Sequence, residues 1–323
     1  MAENLTPAAA TGQGTALGPV VAQARDYFDQ AKASATRKSY ERDWRHFVQW
    51  CRTHARTALP AEPDTVALYL TNLAQTLMVA TLVKRVAALS QAHQLAGYPS
   101  PTHDILVRTV LAGIRRAKGT AQVRKRPLLT EDLRQLVACM PNNLAGRRDR
   151  ALLLLGFAGG FRRSELVSLS LHDLTFTGDG LIVLLRRSKT DQEGQGREVG
   201  IPFGSTPATC PVRALRAWLA DLEPEGAGPL FRPVNRHGHL LARRVTDRAV
   251  ALVVKKWARA AGFQTAGLAG HSLRSGLATS AAAAGVPERA IMAQTGHRSL
   301  TTLRKYIRSG SLFLENAAAK VGL

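Results

Sequence analysis

Four side chains near the end of the sequence have types and spacings that suit chemistry on a phosphodiester. His271 and Arg274 belong to a GHSLRSG motif and are three residues apart, so on a helix they point the same way. His297 follows in TGHRS, and Tyr306 follows in LRKYI. A guanidinium clamps phosphate oxygens in fork geometry, an imidazole gives or takes protons, and a phenol attacks. These residue types therefore predict attack of a tyrosine on a phosphate.

The element that must position Tyr306 is a short amphipathic helix. At 100° per residue, Leu300, Leu303 and Ile307 form one apolar stripe, and Tyr306 lies about a quarter-turn from its centre. This arrangement predicts a half-exposed phenol with a supported ring and a free hydroxyl. An HxxR pair or a single histidine is by itself more often structural, so the rest of the chain has to supply the remaining charges.

The composition indicates the kind of partner. At 323 residues the chain is long enough for about two domains, each with its own core. A net charge of +21 and a pI near 11.0 predict a polyanionic partner. Because the basic residues interrupt amphipathic segments instead of lying in one tail, they favour a folded protein that binds nucleic acid. A generally basic soluble protein is the alternative.

The cysteines and apolar runs predict a cytoplasmic, nucleoid-associated protein. Cys51, Cys139 and Cys210 are odd in number and lie among apolar residues, which predicts buried free thiols in a reducing compartment. The N-terminus has no signal-peptide pattern, and the apolar runs are too short to span a bilayer. Clustered carboxylates or thiolates are missing, so we expect no metal site, and no cofactor is expected either.

The hydrophobic patterns predict a mainly α-helical chain of two domains. Residues 1–20 lack periodicity and are predicted to be disordered. Residues 21–117 repeat apolar side chains at helical spacing, which predicts a domain of four or five helices. Three of these helices are predicted near residues 64–76, 79–96 and 103–118. Residues 118–129 are basic and aperiodic, and predict a linker between the domains that lies along phosphates.

Residues 130–323 are predicted to form a mixed α+β domain with a small β-sheet. Two strands are predicted over residues 181–187 and 197–202, joined by a loop that holds Lys189. Helices are predicted near residues 147–158, 211–222 and 245–261 and at the three motifs that contain His271, His297 and Tyr306. An amphipathic tail, residues 311–323, follows a hinge at Gly310. We expect this tail to form a helix that docks on an adjacent subunit.

The order GFRRSEL, SKT, GHSLRSG, TGHRS and LRKYI resembles the tyrosine recombinases of the phage integrase family. The motifs cover the whole second domain, which resembles the family's catalytic domain. The first domain resembles the family's helical, SAM-like core-binding domain. Residues 50–70 and 291–308 are most similar to compact phage recombinases that work without accessory proteins.

The resemblance implies a role for each matching residue around the phosphate. Arg162 and Arg274 resemble the two catalytic arginines, and Glu165 resembles the acidic partner of the first one. Lys189 resembles the hairpin lysine, a general acid for the leaving 5′-oxygen. Judged from the residues alone, structural alternatives stay open. Arg162 and Glu165 can form a plain salt bridge, Glu165 can merely orient an arginine, and Lys189 can be a solvated charge.

The resemblance also implies roles for the remaining side chains of the site. His271 resembles the histidine of the HxxR pair and is a candidate base for the phenol proton. His297 occupies a position that holds histidine in most members and tryptophan in some, and it would donate to the phosphate. Tyr306 resembles the nucleophile.

Double-stranded DNA is the partner that the resemblance implies. Arg248 resembles a helix residue that reads base edges in the major groove, and Lys38, Lys84 and Arg85 resemble DNA-facing residues of the first domain. We expect inverted-repeat sites held by a homotetramer that the C-terminal helix closes. Only about twenty residues precede the first predicted helix, so no arm-binding domain is expected.

Site-specific recombination through a 3′-phosphotyrosine, with strands exchanged between two sites, is the function that the resemblance implies. A type IB topoisomerase uses similar residues on one duplex and is the first alternative. A DNA-binding regulator that keeps the fold but not the catalysis is the second. The helical first domain and the apolar tail favour recombination, and the complete residue set argues against a silent regulator.

Overall fold

The computed structural model describes residues 31–121, 125–186, 188, 191, 194–222 and 228–307, together with residues 20, 23, 26 and 27. Residues 1–19 of the predicted disordered segment, Arg124 of the predicted linker, Lys189 and the predicted helix 311–323 lie outside these described residues. The chain divides into two compact units, Met1–Gln122 and Val123–Leu323. It is mainly helical with one small sheet, which confirms the predicted fold class.

The first unit is built from helices with one buried face each. Pro63 begins the second helix, where its missing N–H costs nothing because the first turn leaves those groups unpaired. Asp104 caps the fourth, accepting a hydrogen bond of 2.8 Å from the backbone N of Leu106. The core contains Phe47 and Tyr69, both fully buried. The helices are α1 Ser34–Thr53, α2 Pro63–Ala74, α3 Val79–Leu95 and α4 Ile105–Lys118, so the three helices predicted in this unit are confirmed to within a few residues.

The second unit has a larger core that includes the fully buried side chains of Trp218, Leu152 and Phe231. Its helices in chain order are α5 Thr130–Ala138, α6 Leu144–Ala158, α7 Arg163–Ser168, α8 Pro211–Leu219, α9 Asp247–Ala260, α10 His271–Ala283, α11 Glu288–Thr295 and α12 Leu300–Ile307. None of the described helices of either unit is both long and apolar enough to cross a membrane.

One antiparallel sheet lies in the second unit, with strand order β1-β2-β3. The strands are β1 Leu174–Phe176, β2 Gly180–Leu185 and β3 Arg197–Pro202. The bounds predicted for β3 are confirmed, whereas β1, only three residues long, was too short to give a periodic signal. Leu185 pairs with Arg197 at the end of the β2–β3 ladder. Arg197 therefore lies at the base of the hairpin whose loop contains Lys189 in the sequence.

The stretch before α5 packs on the start of α10. The backbone N of Arg126 donates to the carbonyl of Gly267, and that of Leu128 donates to the carbonyl of Ser272, both at 2.9 Å. A Cβ at Gly276 would lie 1.8 Å from the Leu128 carbonyl oxygen. The last glycine of GHSLRSG is therefore required by this close backbone approach.

Helix α12, which carries Tyr306, is attached to the second unit mainly by two apolar side chains. Leu303 and Ile307 are buried against a small cluster of α10 and α11 residues. The Thr279 hydroxyl donates to the Tyr306 carbonyl at 3.0 Å. These contacts fix the position of the Tyr306 backbone.

Two burial predictions are wrong, and both concern the ends of helices. Cys139 is exposed just after α5, whereas Cys51 and Cys210 are buried free thiols as predicted. Leu300 is exposed at the first position of α12, so the predicted apolar stripe begins at Leu303. A terminal helix residue has no turn of its own helix beyond it, and its side chain can face solvent even when the pattern points inward.

Candidate active site

Arg162 is held by an acidic residue one helical turn away. It lies at the N-cap of α7, where the Glu165 carboxylate accepts a hydrogen bond of 2.8 Å from the Arg162 backbone N. The other Glu165 oxygen accepts a short hydrogen bond from the Arg162 guanidinium. Glu165 is buried, while 20% of the Arg162 side chain is exposed. The carboxylate therefore fixes the guanidinium and still leaves part of it open to a ligand.

Arg274 lies in α10 and is almost completely buried. Its Nη1 donates to the Gly160 carbonyl at 2.7 Å and to the Thr295 carbonyl. Its Nη2 is buried and has no hydrogen-bond partner among the described residues. Burial, followed by the charge of Arg162, lowers the pKa of Arg274 to about 10, so it remains a cation at neutral pH. An unpaired buried donor is costly, which indicates a ligand with acceptor oxygens.

Tyr306 lies within hydrogen-bond distance of His271. The Tyr306 hydroxyl oxygen is 3.0 Å from His271 Nε2. Burial, followed by the charges of Arg274, Arg162 and Arg163, lowers the pKa of His271, which is therefore neutral near pH 7. With its proton on Nδ1, the imidazole accepts the phenol proton at Nε2. The predicted nucleophile and the predicted base thus meet in one subunit.

His297 is oriented by Thr295, a residue that the sequence analysis did not select. The Thr295 hydroxyl lies 2.6 Å from the Ile291 carbonyl and 2.7 Å from His297 Nδ1. Since a hydroxyl has one proton and a carbonyl can only accept, Thr295 donates to Ile291 and accepts from His297 Nδ1–H. Burial, followed by the charge of Arg274, lowers the pKa of His297 to about 3. In this neutral tautomer the lone pair is on Nε2.

This tautomer does not by itself fit the predicted role of His297 as a donor to the phosphate. A neutral His297 with its proton on Nδ1 accepts at Nε2 and cannot donate there. Donation to a phosphate requires that the anion raise the pKa of His297 enough to add a second proton. The Tyr306 ring lies beside both imidazoles, with centroid distances of 5.4 Å to His271 and to His297.

Arg197 is a second residue that the sequence analysis missed. Its Nη1 donates to the carbonyls of Ala293 at 3.2 Å and Gln294 at 3.3 Å, at the end of α11. Its Nη2 is buried and unpaired within the described part of the chain. Burial lowers the pKa of Arg197, and the charge of Arg162 adds to this effect. An arginine that begins a strand gives little signal in a sequence, because its carbonyl partners lie almost a hundred residues away.

A cavity of about 230 Å³ lies between the β2–β3 hairpin and the turn that carries His297. Arg197, His297, Ser188 and Asp191 are among the residues that line it. The Asp191 carboxylate accepts hydrogen bonds from the backbone N of Gln195 at 3.1 Å and of Gly196 at 2.8 Å. Lys189 lies between Ser188 and Asp191 in the sequence but outside the described residues, so its predicted role stays a prediction.

The site is strongly positive. It brings together six of the seven predicted catalytic residues: Arg162, Glu165, His271, Arg274, His297 and Tyr306. With Arg197 added, three guanidiniums face one carboxylate, and both histidines are neutral. Among the described residues there is no group of three or more His, Cys, Asp or Glu side chains that could hold a metal. The arrangement can bind an anion such as a phosphodiester and deprotonate a phenol beside it.

The four residues predicted to contact DNA differ in exposure. Lys38 on α1 and Arg248 on α9 are exposed. Lys84 Nζ lies 2.9 Å from the buried Asp43 carboxylate, and Arg85 Nη1 donates to the Tyr69 hydroxyl. All four DNA contacts stay predictions.

Comparison with known proteins identifies a family and several relatives. Residues 126–311 match the phage integrase family. The integrase/recombinase XerD homolog of Selenomonas ruminantium is 42% identical over 299 residues, which cover 91% of this chain and 87% of that protein. The recombinase Cre of Escherichia phage P1 is 26% identical, over 82% of this chain and 81% of Cre.

Solved structures share the fold. The XerH site-specific recombinase bound to its palindromic difH substrate, in a post-cleavage complex, gives a TM-score of 0.60 at 21% identity, covering 80% of this chain and 72% of XerH. The Tn1549 transposon integrase in complex with a circular intermediate DNA gives a TM-score of 0.61 at 17% identity, over 88% of this chain and 92% of that one.

Proposed function

The chain belongs to the phage integrase family, and we propose that it breaks and rejoins double-stranded DNA at specific sites through a covalent bond to Tyr306. One observation carries this proposal. The Tyr306 hydroxyl lies 3.0 Å from His271 Nε2, beside the buried guanidinium of Arg274 with its unpaired Nη2. The proposal assigns Tyr306 as the nucleophile, His271 as the base and Arg274 as an anion-binding group.

In the first step the Tyr306 oxygen attacks the scissile phosphorus. A phenol, with an ordinary pKa of about 10, is a poor nucleophile near pH 7 unless a base takes its proton. His271 accepts that proton at Nε2. Arg162 and Arg274 donate to the non-bridging oxygens and stabilise the additional negative charge of the pentacoordinate transition state.

In the second step the bond from phosphorus to the 5′-oxygen breaks. Lys189 protonates the departing oxygen as general acid, which leaves a 5′-hydroxyl and a 3′-phosphotyrosine. Since this diester keeps the energy of the broken bond, a 5′-hydroxyl from a second duplex can attack it and release Tyr306 without ATP. Exchange of two such strands between two sites is recombination.

Binding of DNA is supported by the charge of the whole chain and by its exposed basic side chains. The net charge is +21. The side chains of Lys38 and Arg248 are exposed, so they can contact a phosphate or a base edge without a change in the fold. The XerH and Tn1549 integrase structures were solved in complex with DNA. We propose that the protein acts in the cytoplasm, on inverted-repeat sites in the DNA of the nucleoid. We also propose that it forms a tetramer that residues 311–323 close.

The test of the chemical step first uses the wild-type protein to select its binding site from a random pool of DNA duplexes. A nicked duplex that contains this site is then the substrate. Wild-type protein should form an adduct that survives denaturation, and Tyr306→Phe should bind the duplex equally well and form none, because only the hydroxyl is lost. An adduct with the phenylalanine variant would show that another residue attacks. A wild-type protein that binds but gives no adduct would identify a silent regulator.

A second test separates recombination from topoisomerase activity and examines the tail. Two duplexes of different length carrying the selected site should give products of exchanged length, whereas a topoisomerase would relax supercoils without exchange. Truncation after Gly310 should leave binding of a single half-site intact while it removes cooperative binding and exchange. Cooperative binding by the truncated protein would mean that the tail packs on its own domain.

A further inference from the structure

We infer that Arg197 is a third arginine of the active site, and that its Nη2 donates a hydrogen bond to a non-bridging oxygen of the scissile phosphate. This inference rests on the proposed function and adds a substrate contact to it. It starts from an arginine at the base of a hairpin, which neither the motifs nor the resemblance singled out.

The first observation is that the two ends of the Arg197 guanidinium have different surroundings. Nη1 is tied to the carbonyls of Ala293 and Gln294 at 3.2 and 3.3 Å. Nη2 is buried and finds no acceptor among the described residues. A buried N–H that no group accepts costs about 1–3 kcal/mol, so a side chain that served only as a tether would lose stability through this nitrogen. An acceptor on a bound ligand removes that cost.

The second observation is that the backbone beside the guanidinium is shaped to admit it. Gly296 has a φ of +66°, in the left-handed region, and ends α11. A Cβ at Gly296 would lie 2.9 Å from Arg197 Cζ and 3.0 Å from Nη2. Any other residue there would push the guanidinium away from the turn that carries His297. The glycine of TGHRS thus lets Arg197 lie beside a catalytic histidine.

The third observation is a match between donors, charge and ligand. Arg274 and Arg197 each have one buried Nη2 that is unpaired within the described ranges, and a phosphodiester has two non-bridging oxygens. The charges of Arg162 and Arg197 both contribute to the lowered pKa of Arg274, after burial. Arg162 is paired with the buried carboxylate of Glu165, whereas Arg274 and Arg197 are in no salt bridge among the described residues. A pentacoordinate phosphorane carries one more negative charge than the phosphodiester, so these guanidiniums stabilise the transition state more than the ground state.

A purely structural role for Arg197 would be to hold the end of α11 against the sheet. Gln294 already does this with a neutral side chain. Its Nε2 donates to the carbonyls of Ala158 at 2.8 Å and Gly200 at 3.1 Å, and Gly200 lies in the same strand as Arg197. A second tether does not need a buried positive charge. Gln294 therefore provides a matched control, because its replacement loosens the same contact and leaves every guanidinium in place.

The experiment measures single-turnover adduct formation on two forms of the selected nicked duplex. One has a normal scissile phosphate, and the other has a methylphosphonate in which a neutral methyl group replaces one non-bridging oxygen, each stereoisomer being tested separately. The variants are Arg197→Met, Arg197→Lys and Gln294→Leu, and the melting temperature and duplex affinity of each are measured first.

We expect Arg197→Met to lose about a hundredfold in rate on the phosphate, the size of effect typical of a lost transition-state donor. On the stereoisomer that lacks the contacted oxygen, its rate should lie within about threefold of wild type, because the interaction is absent from both proteins. Gln294→Leu should show the same small defect on all substrates. Arg197→Lys should retain part of the rate on phosphate, since it keeps the charge but not the fork.

The outcomes separate this inference from the proposed function. If the wild type forms a Tyr306 adduct and Arg197→Met is equally slow on phosphate and on both methylphosphonates, Arg197 is structural and the inference fails alone. Normal cleavage by Arg197→Met also overturns it. If Arg197→Met does not fold, the same comparison is made with Arg197→Lys. A rate of adduct formation reduced equally on phosphate and on both methylphosphonates would again overturn the inference. A wild type without adduct overturns the proposed function instead.

Discussion

The two units each contain a cluster of basic side chains, and the clusters differ in how these side chains are paired with other protein groups. In the first unit the buried Asp43 carboxylate lies 2.9 Å from Lys84 Nζ, and Arg85 donates to the Tyr69 hydroxyl with its guanidinium 5.9 Å from the centre of that ring. One donor, Arg85 Nε, is left buried and unpaired. In the second unit Arg162 is paired with Glu165, whereas Arg274 and Arg197 are in no salt bridge among the described residues, and each has one buried donor that is unpaired there.

The buried histidines follow the same division. In the first unit His93 Nε2 accepts from the Ala61 backbone N and Nδ1 lies against the Leu89 carbonyl, both at 2.9 Å. In the second unit His297 has its Nδ1 satisfied by Thr295 and lines an open cavity. A basic or imidazole side chain whose protein partners are complete stabilises a fold. One that keeps an unpaired donor or lone pair and lines an open cavity, as Arg197 and His297 do, can bind a ligand.

The strongest way to break this comparison is to exchange arginine for lysine in both clusters. Arg274→Lys should lower the rate of adduct formation by about a hundredfold or more, because one ammonium cannot bind the Gly160 and Thr295 carbonyls and also replace the donor at Nη2. Arg85→Lys should change that rate by less than about threefold, since its partners are protein groups. The rates are measured on the nicked duplex, and similar losses for both variants would contradict the division.

Removing Lys84 should act on stability before it acts on DNA. Lys84→Met leaves the buried Asp43 without its nearest cation, and we expect a loss of about 1–3 kcal/mol in the free energy of unfolding, moderated because Lys84 is 37% exposed. Lys38→Ala, on an exposed residue of the same unit, is the matched control and should leave the denaturation midpoint unchanged. Urea titration measures the free energy of unfolding of both variants. A Lys84→Met protein as stable as wild type would show that the ion pair between Lys84 and Asp43 does not stabilise the fold.

Thr295→Val tests whether His297 is oriented by a single hydroxyl. The change keeps the side-chain shape and removes the acceptor for Nδ1–H, so the imidazole can adopt its other tautomer. Nitrogen NMR of the His297 ring should show the proton leave Nδ1, a signal that simple loss of packing would not give. An unchanged ring spectrum would mean that Thr295 does not select the tautomer.

The smallest effect concerns pH. The pKa of His271 is lowered, by burial first, so its neutral, proton-accepting form persists below pH 6.5. Adduct formation limited by chemistry should therefore fall by less between pH 7.5 and about 6 than the roughly fourfold that an ordinary histidine base would lose over that range. In the first unit the lowered pKa of His93 should appear only as reduced stability in acid, because the unfolded chain binds a proton that the native His93 refuses.

Much of the candidate site could be predicted because its residues lie in short local motifs. His271 and Arg274 share a helix face, and Glu165 lies one turn from Arg162, so spacing alone aligns them. The strand Arg197–Pro202 was predictable from alternation between polar and apolar residues. These are properties of a few consecutive residues, and no long-range contact is needed to read them.

Arg197 and Thr295 could not be predicted because their roles depend on distant backbone atoms. Arg197 is defined by carbonyls at the end of α11 and by the absence of a side chain at Gly296. Thr295 looks like any threonine at a helix end until its hydroxyl is seen between a carbonyl and an imidazole. The exposure of Cys139 and Leu300 escaped for a related reason, since a periodic pattern does not say where a helix ends against solvent.

The attachment of α12 has a consequence for how activity can be switched. Among the described residues, the contacts that hold this helix include the buried side chains of Leu303 and Ile307 and the partly buried ring of Tyr306. They also include a hydrogen bond from Thr279, the hydrogen bond between Tyr306 and His271, and an exposed ion pair from Arg304 to Glu288. Each buried side chain contributes about 1.5–3 kcal/mol, so lifting α12 from the domain requires far less free energy than unfolding the domain. Tyr306, the proposed nucleophile, therefore lies on a segment that can be detached without unfolding the rest of the domain. A neighbouring molecule that gains a few kcal/mol of free energy by binding α12 can displace Tyr306 and so inactivate one active site, while the arginines keep their positions.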